Sequence, residues 1–304
     1  MKQLVVIVLI CLIQAVNISA QVVGSGRSSV HINNQTPTLS DPEMREPEAQ
    51  AAVILPREGP EEILVPTGDY YALIIGIDNY ADPMIQDLDN PIRDAELFHN
   101  TLINYYTFDP DNVRLLRDAT MADMVGALDH FAKVVTPEDN FLIFYAGHGI
   151  WNEDAGLGFW LPADAQQNST LNWFRNSTLR DYLRAINSKH SLLVSDACFA
   201  GGIFRTRRAF LDAPVAINRL YDLPSRKAMT SGTLTEVPDQ SAFLKYMIDR
   251  LENNDQRYLS SEQLFSSFRI AVINNSDAIP QYGEIRDVGD EGGDFIFIRR
   301  QAPK

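Results

Sequence analysis

From Asp69 onward, blocks of apolar residues alternate with segments of helical spacing. Tyr70 to Ile77 and Asn140 to Ala146 are short continuous apolar runs, the mark of strands buried on both faces. Val113 to Leu116 and Ser191 to Val194 are shorter runs of the same kind, and Arg226 to Ser231 is a further candidate. Between them, Pro91 to Asn104 places Ile92, Ala95, Phe98 and Leu102 at helical intervals. Thr120 to Val134 predicts a helix capped by Thr120, with Met124, Leu128 and Phe131 inward. Thr178 to Asn187, Ser241 to Leu251 and Ser260 to Ile273 are further helices, and Phe295 to Arg299 is a closing strand. Strands alternating with helices predict an α/β domain whose mostly parallel sheet is covered on both faces. The stretch Gly202 to Leu223, with Arg205, Arg207, Arg208 and Arg219, has little pattern and is expected to be an exposed basic loop.

Ahead of this domain the pattern changes twice. Residues 1–20 have Lys2, an apolar run from Leu4 to Ile13 and a small residue at Ala20, the layout of a secretory signal peptide. The run is short for a membrane span, which wants about 20 residues, and no other segment is long and apolar enough to cross a bilayer. Export, to the periplasm or outside the cell, is expected. Residues 21–68 carry Pro37, Pro42, Pro47, Pro56, Pro60 and Pro66 among Ser, Gln and Glu, and predict an extended linker or pro-segment. The globular domain is expected over residues 69–300.

The chain has 304 residues, with 26 Lys+Arg against 40 Asp+Glu. That balance argues against a nucleic-acid-binding protein, because phosphate contacts need clustered positive charge. There are 2 cysteines. Removal of the signal peptide would take Cys11 and leave Cys198 alone, which excludes an internal disulfide. Such a thiol is either a buried inert side chain or a nucleophile.

In parallel sheets, reactive groups collect at the carboxyl ends of strands. Two predicted strands end in chemistry. Phe141 to Tyr145 runs into Ala146-Gly147-His148-Gly149, and Leu192 to Val194 into Ser195-Asp196-Ala197-Cys198-Phe199-Ala200-Gly201-Gly202. If the two strands are neighbours, His148 and Cys198 face each other. An imidazole takes a thiol proton and later returns one to a leaving amine. The backbone N–H groups of Gly149 and Cys198 are candidates for an oxyanion hole. Either motif alone has an ordinary structural explanation, a tight loop or a buried small side chain; together they point to catalysis. A zinc site from His148, Asp196 and Cys198 lacks a fourth ligand at recognisable spacing.

These motifs resemble the His and Cys motifs of caspase-like cysteine peptidases, the bacterial members and metacaspases most of all. Tyr71 to Tyr80 (YALIIGIDNY) resembles the family's first strand and its Gly-Ile-x-x-Tyr turn. Asp94-Ala95 resembles the pair that opens its first helix, and Met229 to Gly232 a strand of its small-subunit portion. The resemblance implies a three-layer sandwich around a six-stranded mostly parallel sheet. It implies a cysteine endopeptidase with Cys198 as nucleophile and His148 as base and acid, acting on protein or peptide substrates without a metal or organic cofactor. Some metacaspases need calcium; the acidic stretch Asp287 to Asp294 does not fit EF-hand spacing and is expected to be a loop. The resemblance also places Asp94, Asp196 and Ser231 in the pocket for the residue before the scissile bond. Paired carboxylates there imply cleavage after Arg or Lys; caspases that cut after Asp carry Gln where this chain has Asp196. Ala146, Pro91 and Phe199 depart from the residues metacaspases usually have at those positions. A family habit of cutting between the two portions makes Arg205, Arg207 or Arg208 an expected self-cleavage site. The alternative is a caspase-fold scaffold that binds without cutting.

Overall fold

The computed structural model describes residues 68–152, 154–197, 203–205, 216–232 and 241–301. Six principal strands build one sheet: β1 (Tyr70–Gly76), β2 (Val113–Arg117), β3 (Asn140–Ala146), β7 (His190–Asp196), β9 (Ser225–Thr230) and β11 (Gln281–Ile285). Their order is β2-β1-β3-β7-β9-β11. The first five are parallel and β11 is antiparallel to β9. A two-residue strand, β8 (Phe204–Arg205), extends the edge beside β11. The expected sheet is present, with this short addition.

Alternation along each apolar run sorts side chains to two faces, as the period of two demands. Ala72, Ile74, Leu142, Phe144, Leu192 and Val194 enter one core. It is closed by α1 (Pro91–Tyr105), α4 (Ala216–Asp222), α5 (Ala242–Glu252) and α6 (Ser261–Asn275). Leu73, Ile75, Phe141, Ile143 and Leu193 enter the other, closed by α2 (Met121–Val134) and α3 (Asn176–Ala185). The domain is therefore the expected three-layer sandwich. Thr120 caps α2 as predicted, in a reciprocal box with Asp123; Ser260 and Gln263 do the same for α6.

The Gly202–Leu223 expectation needs correction. Its described parts include β8 and α4, and α4 buries Ile217 and Tyr221 in the core. Two apolar residues one turn apart were too short a pattern beside four arginines to predict a helix. Patterning also left out a small antiparallel sheet of β4 (Gly149–Asn152), β5 (Leu157–Trp160) and β6 (Phe174–Arg175). The closing strand β12 (Ile296–Ile298) pairs with β10 (Tyr258–Ser260), outside the main sheet. No described helix is long and apolar enough to cross a membrane.

Candidate active site

The strand order reverses between β1 and β3, and the chemistry gathers at the carboxyl ends beside that point. Gly76 ends β1 with α1 lying directly on it. A Cβ there would come within 2.6 Å of the Pro91 carbonyl oxygen and 2.9 Å of Ala95 Cβ. That close approach brings the first turn of α1, with Asp94, to the strand ends.

β3 and β7 are hydrogen-bonded neighbours with Ala146 opposite Asp196. His148 lies two residues beyond the first and Cys198 two beyond the second. Cys198 and the glycines after it lie outside the described residues. His148 is half-buried and held on several sides. Its N–H donates to the Tyr80 hydroxyl at 2.9 Å. Its carbonyl accepts from the Tyr145 hydroxyl at 2.8 Å and from Leu161 N at 3.0 Å. Its Nε2 lies 2.8 Å from the Gln86 carbonyl oxygen. A carbonyl only accepts, so Nε2 carries the proton, and the lone pair of the neutral ring is on Nδ1. Gly147 makes this turn with φ of 154°, and a Cβ there would meet the Tyr145 hydroxyl at 2.8 Å and that of Tyr80 at 3.2 Å. Gly149 begins β4, opposite Trp160 of β5.

Two of the residues expected in the pocket are buried acids. Asp94 is buried on α1, its Oδ1 3.2 Å from a terminal nitrogen of the exposed Arg93. Burial raises its carboxyl above the usual range, while Arg93 pulls it back. Asp196, at the end of β7, is only 4% exposed. Desolvation pushes its carboxyl up to about 6; the hydroxyls of Ser241 and Ser231 favour the anion and the charge of Asp94 opposes it. Among the described residues neither Asp196 Oδ1 nor Ser231 Oγ has a hydrogen-bond partner. Ser231 continues β9 beside β7, its N–H donating to the Ser195 carbonyl at 3.1 Å.

A family model described as the caspase domain of the C14 peptidases matches residues 69–285. The chain belongs to the caspase-domain peptidase family. This caspase domain is also similar to Metacaspase-1 of Saccharomyces cerevisiae, in strains YJM789 and ATCC 204508 / S288c. Identity is 34% over 116 residues, 36% of this chain. The match spans 26% of the length of those relatives. Among solved structures, protein GSU0716 from Geobacter sulfurreducens has the same fold, with a TM-score of 0.51 and 19% identity over 70% of this chain and 92% of that one.

Sequence reasoning missed several residues of this caspase domain's site. Tyr145 was noted only as part of an apolar strand and Tyr80 only as the end of a turn motif, yet both hold the histidine loop. Gln86 acts through its backbone carbonyl, which no side-chain pattern reveals. Two acids of Asp287 to Asp294 are engaged within the protein. Asp290 binds Lys227 at 3.0 Å, and Asp294 accepts from Ser261, Tyr282 and the N–H of Glu262.

Proposed function

We propose that this chain is a cysteine endopeptidase that cleaves after Arg or Lys through Cys198 and His148. Nδ1 of His148 takes the Cys198 proton, and the thiolate adds to the scissile carbonyl. The backbone N–H groups of Gly149 and Cys198 stabilise the oxyanion. The imidazolium then protonates the leaving amine, and the acyl-enzyme is hydrolysed by a water that gives its proton to the same nitrogen. Asp94, Asp196 and Ser231 receive the basic side chain. The observation that carries this reading is Asp196: a buried carboxylate oxygen without a hydrogen-bond partner among the described residues, two positions before the cysteine in the chain, on the strand beside the histidine's. A buried anion with an open acceptor is complementary to a cation that brings its own donors. In the same reading residues 1–20 direct export to the periplasm or outside the cell, 21–68 form a linker or pro-segment, and 69–300 are the catalytic domain. Every step uses this chain's own groups.

The test is hydrolysis of fluorogenic peptides ending in Arg, Lys or Asp, with and without calcium. Cleavage after Arg and Lys that falls at least 1,000-fold in Cys198→Ala and His148→Ala is expected. Cleavage after Asp would overturn the pocket assignment. Absence of any cleavage, in a chain whose mass shows it intact or processed, would favour the scaffold alternative.

A further inference from the structure

Resting on that reading, we propose that Tyr80 is a positioning residue for His148, its hydroxyl gripping the histidine's own backbone N–H and its ring lying against the imidazole. Three observations converge on it. The Tyr80 oxygen accepts the His148 N–H at 2.9 Å. Tyr145 donates to the His148 carbonyl at 2.8 Å and lies 3.1 Å from the Leu161 carbonyl. The histidine's N–H and carbonyl are thus each held by a tyrosine hydroxyl, Tyr80 accepting from the first and Tyr145 donating to the second. The Tyr80 ring also lies against the imidazole, centroids 5.0 Å apart and planes at 43°.

The same loop that supplies Tyr80 supplies the Gln86 carbonyl at Nε2. The loop is braced independently of the histidine. Asp87 Oδ1 accepts from Tyr80 N at 2.8 Å, Ala81 N donates to the Ala163 carbonyl at 2.8 Å, and Gln167 N donates to Asp82 Oδ2 at 2.8 Å. Histidine backbone and ring are thus referenced to one rigid segment. The orientation of the imidazole is set by Tyr80 at its backbone and face and by Gln86 at Nε2. An imidazole displaced by a fraction of an ångström loses much of its value as a base, since proton transfer demands hydrogen-bond geometry.

The test uses the full chain in four forms: wild type, Tyr80→Phe, Asp87→Ala and His148→Ala. Two readouts are compared, the pH dependence of Cys198 alkylation by iodoacetamide, followed by peptide mass, and kcat against KM on the best basic peptide. Wild type is expected to alkylate with an inflection well below that of a free thiol, near 8.5, and His148→Ala to lose that depression. Tyr80→Phe keeps the ring and removes the hydroxyl. Its inflection should move toward that of His148→Ala, and kcat should fall about tenfold or more with KM within twofold, because the acid pocket stands on other elements. A merely structural role would lower the melting temperature but leave the folded molecules with the wild-type pH profile, and that result would overturn the proposal. If Tyr80→Phe does not fold, Asp87→Ala decides: a smaller shift in the same direction supports the proposal, and a wild-type profile overturns it. A wild type whose alkylation matches His148→Ala would show that no imidazole serves the thiol and would sink the peptidase reading as well. Turnover in wild type with an unmoved Tyr80→Phe sinks the positioning role alone.

Discussion

Two histidines sit near strands of this sheet, and their surroundings give them opposite characters. His190 opens β7 fully buried, with Nδ1 2.8 Å from Ser225 Oγ and Nε2 3.0 Å from the Tyr221 carbonyl. Desolvation drives its pKa down to about 3, so it is a neutral core residue at working pH. His148 lies beyond the opposite end of its strand, half-buried, with one ring nitrogen committed to a carbonyl. Asp196 is the residue whose chemistry conflicts most with its location. Its carboxyl is raised from 3.8 to about 6. The folded form therefore holds its proton more tightly than the unfolded chain does. The stability of the ligand-free protein falls as pH rises between those values and stays reduced above them, by on the order of 3 kcal/mol. Asp196→Asn is accordingly expected to raise the melting temperature at pH 7 and to abolish cleavage after Arg. The stabilising effect should vanish below about pH 4. A variant less stable than wild type at pH 7 would refute a strained carboxylate. For wild type, kcat/KM on basic peptides should climb as pH rises through about 6, where the empty pocket becomes anionic.

At the scale of elements, the loop between β11 and β12 shows why acid-rich stretches mislead. Asp290 is packed against Lys227 at 3.0 Å with both side chains at or below 10% exposure, and its Oδ2 also accepts from Arg226 N at 2.7 Å. This carboxylate fastens the loop to β9, the strand that leads to Ser231. Asp290→Ala leaves the buried ammonium with Glu284, 4.0 Å away, as its ion-pair partner among the described residues. Breaking such a pair costs roughly 3 kcal/mol or more. A urea midpoint equal to wild type would contradict that assignment. The long helices and the buried strands were legible because their patterns run for two turns or a whole apolar run. The sheet β4-β5-β6 and helix α4 were not. Strands of two to four residues carry too few alternations, and α4 owes its place to Ile217 and Tyr221 meeting a core formed by distant segments.

At the scale of the whole molecule, the expected cut between the two portions of the domain acquires a constraint. Arg205 lies in β8, paired with Glu284 of β11, so its backbone is engaged in the sheet edge. Arg207 and Arg208 lie outside the described residues. A protease needs an extended, accessible segment, and a residue paired in a sheet edge is a poorer target. Intact-mass measurement of wild type beside Cys198→Ala should show a single chain in the mutant and fragments meeting at Arg207 or Arg208 in wild type; one chain in both would remove self-processing. The sequence by itself determined the alternation of strands and helices, the class of fold, the surplus of acid, and the two motifs at strand ends, because each is written in local periodicity or in adjacent residues. It pointed to Asp94 and Asp196 only through a family resemblance. Tertiary structure alone decided that β3 and β7 are neighbours in a register that sets Ala146 beside Asp196. Only folding left Asp196 Oδ1 buried without a partner among the described residues and closed two tyrosines and a backbone carbonyl around His148. Those contacts join residues up to 68 positions apart. Desolvation and hydrogen-bond geometry exist only once distant segments are packed together, so no local pattern can encode them.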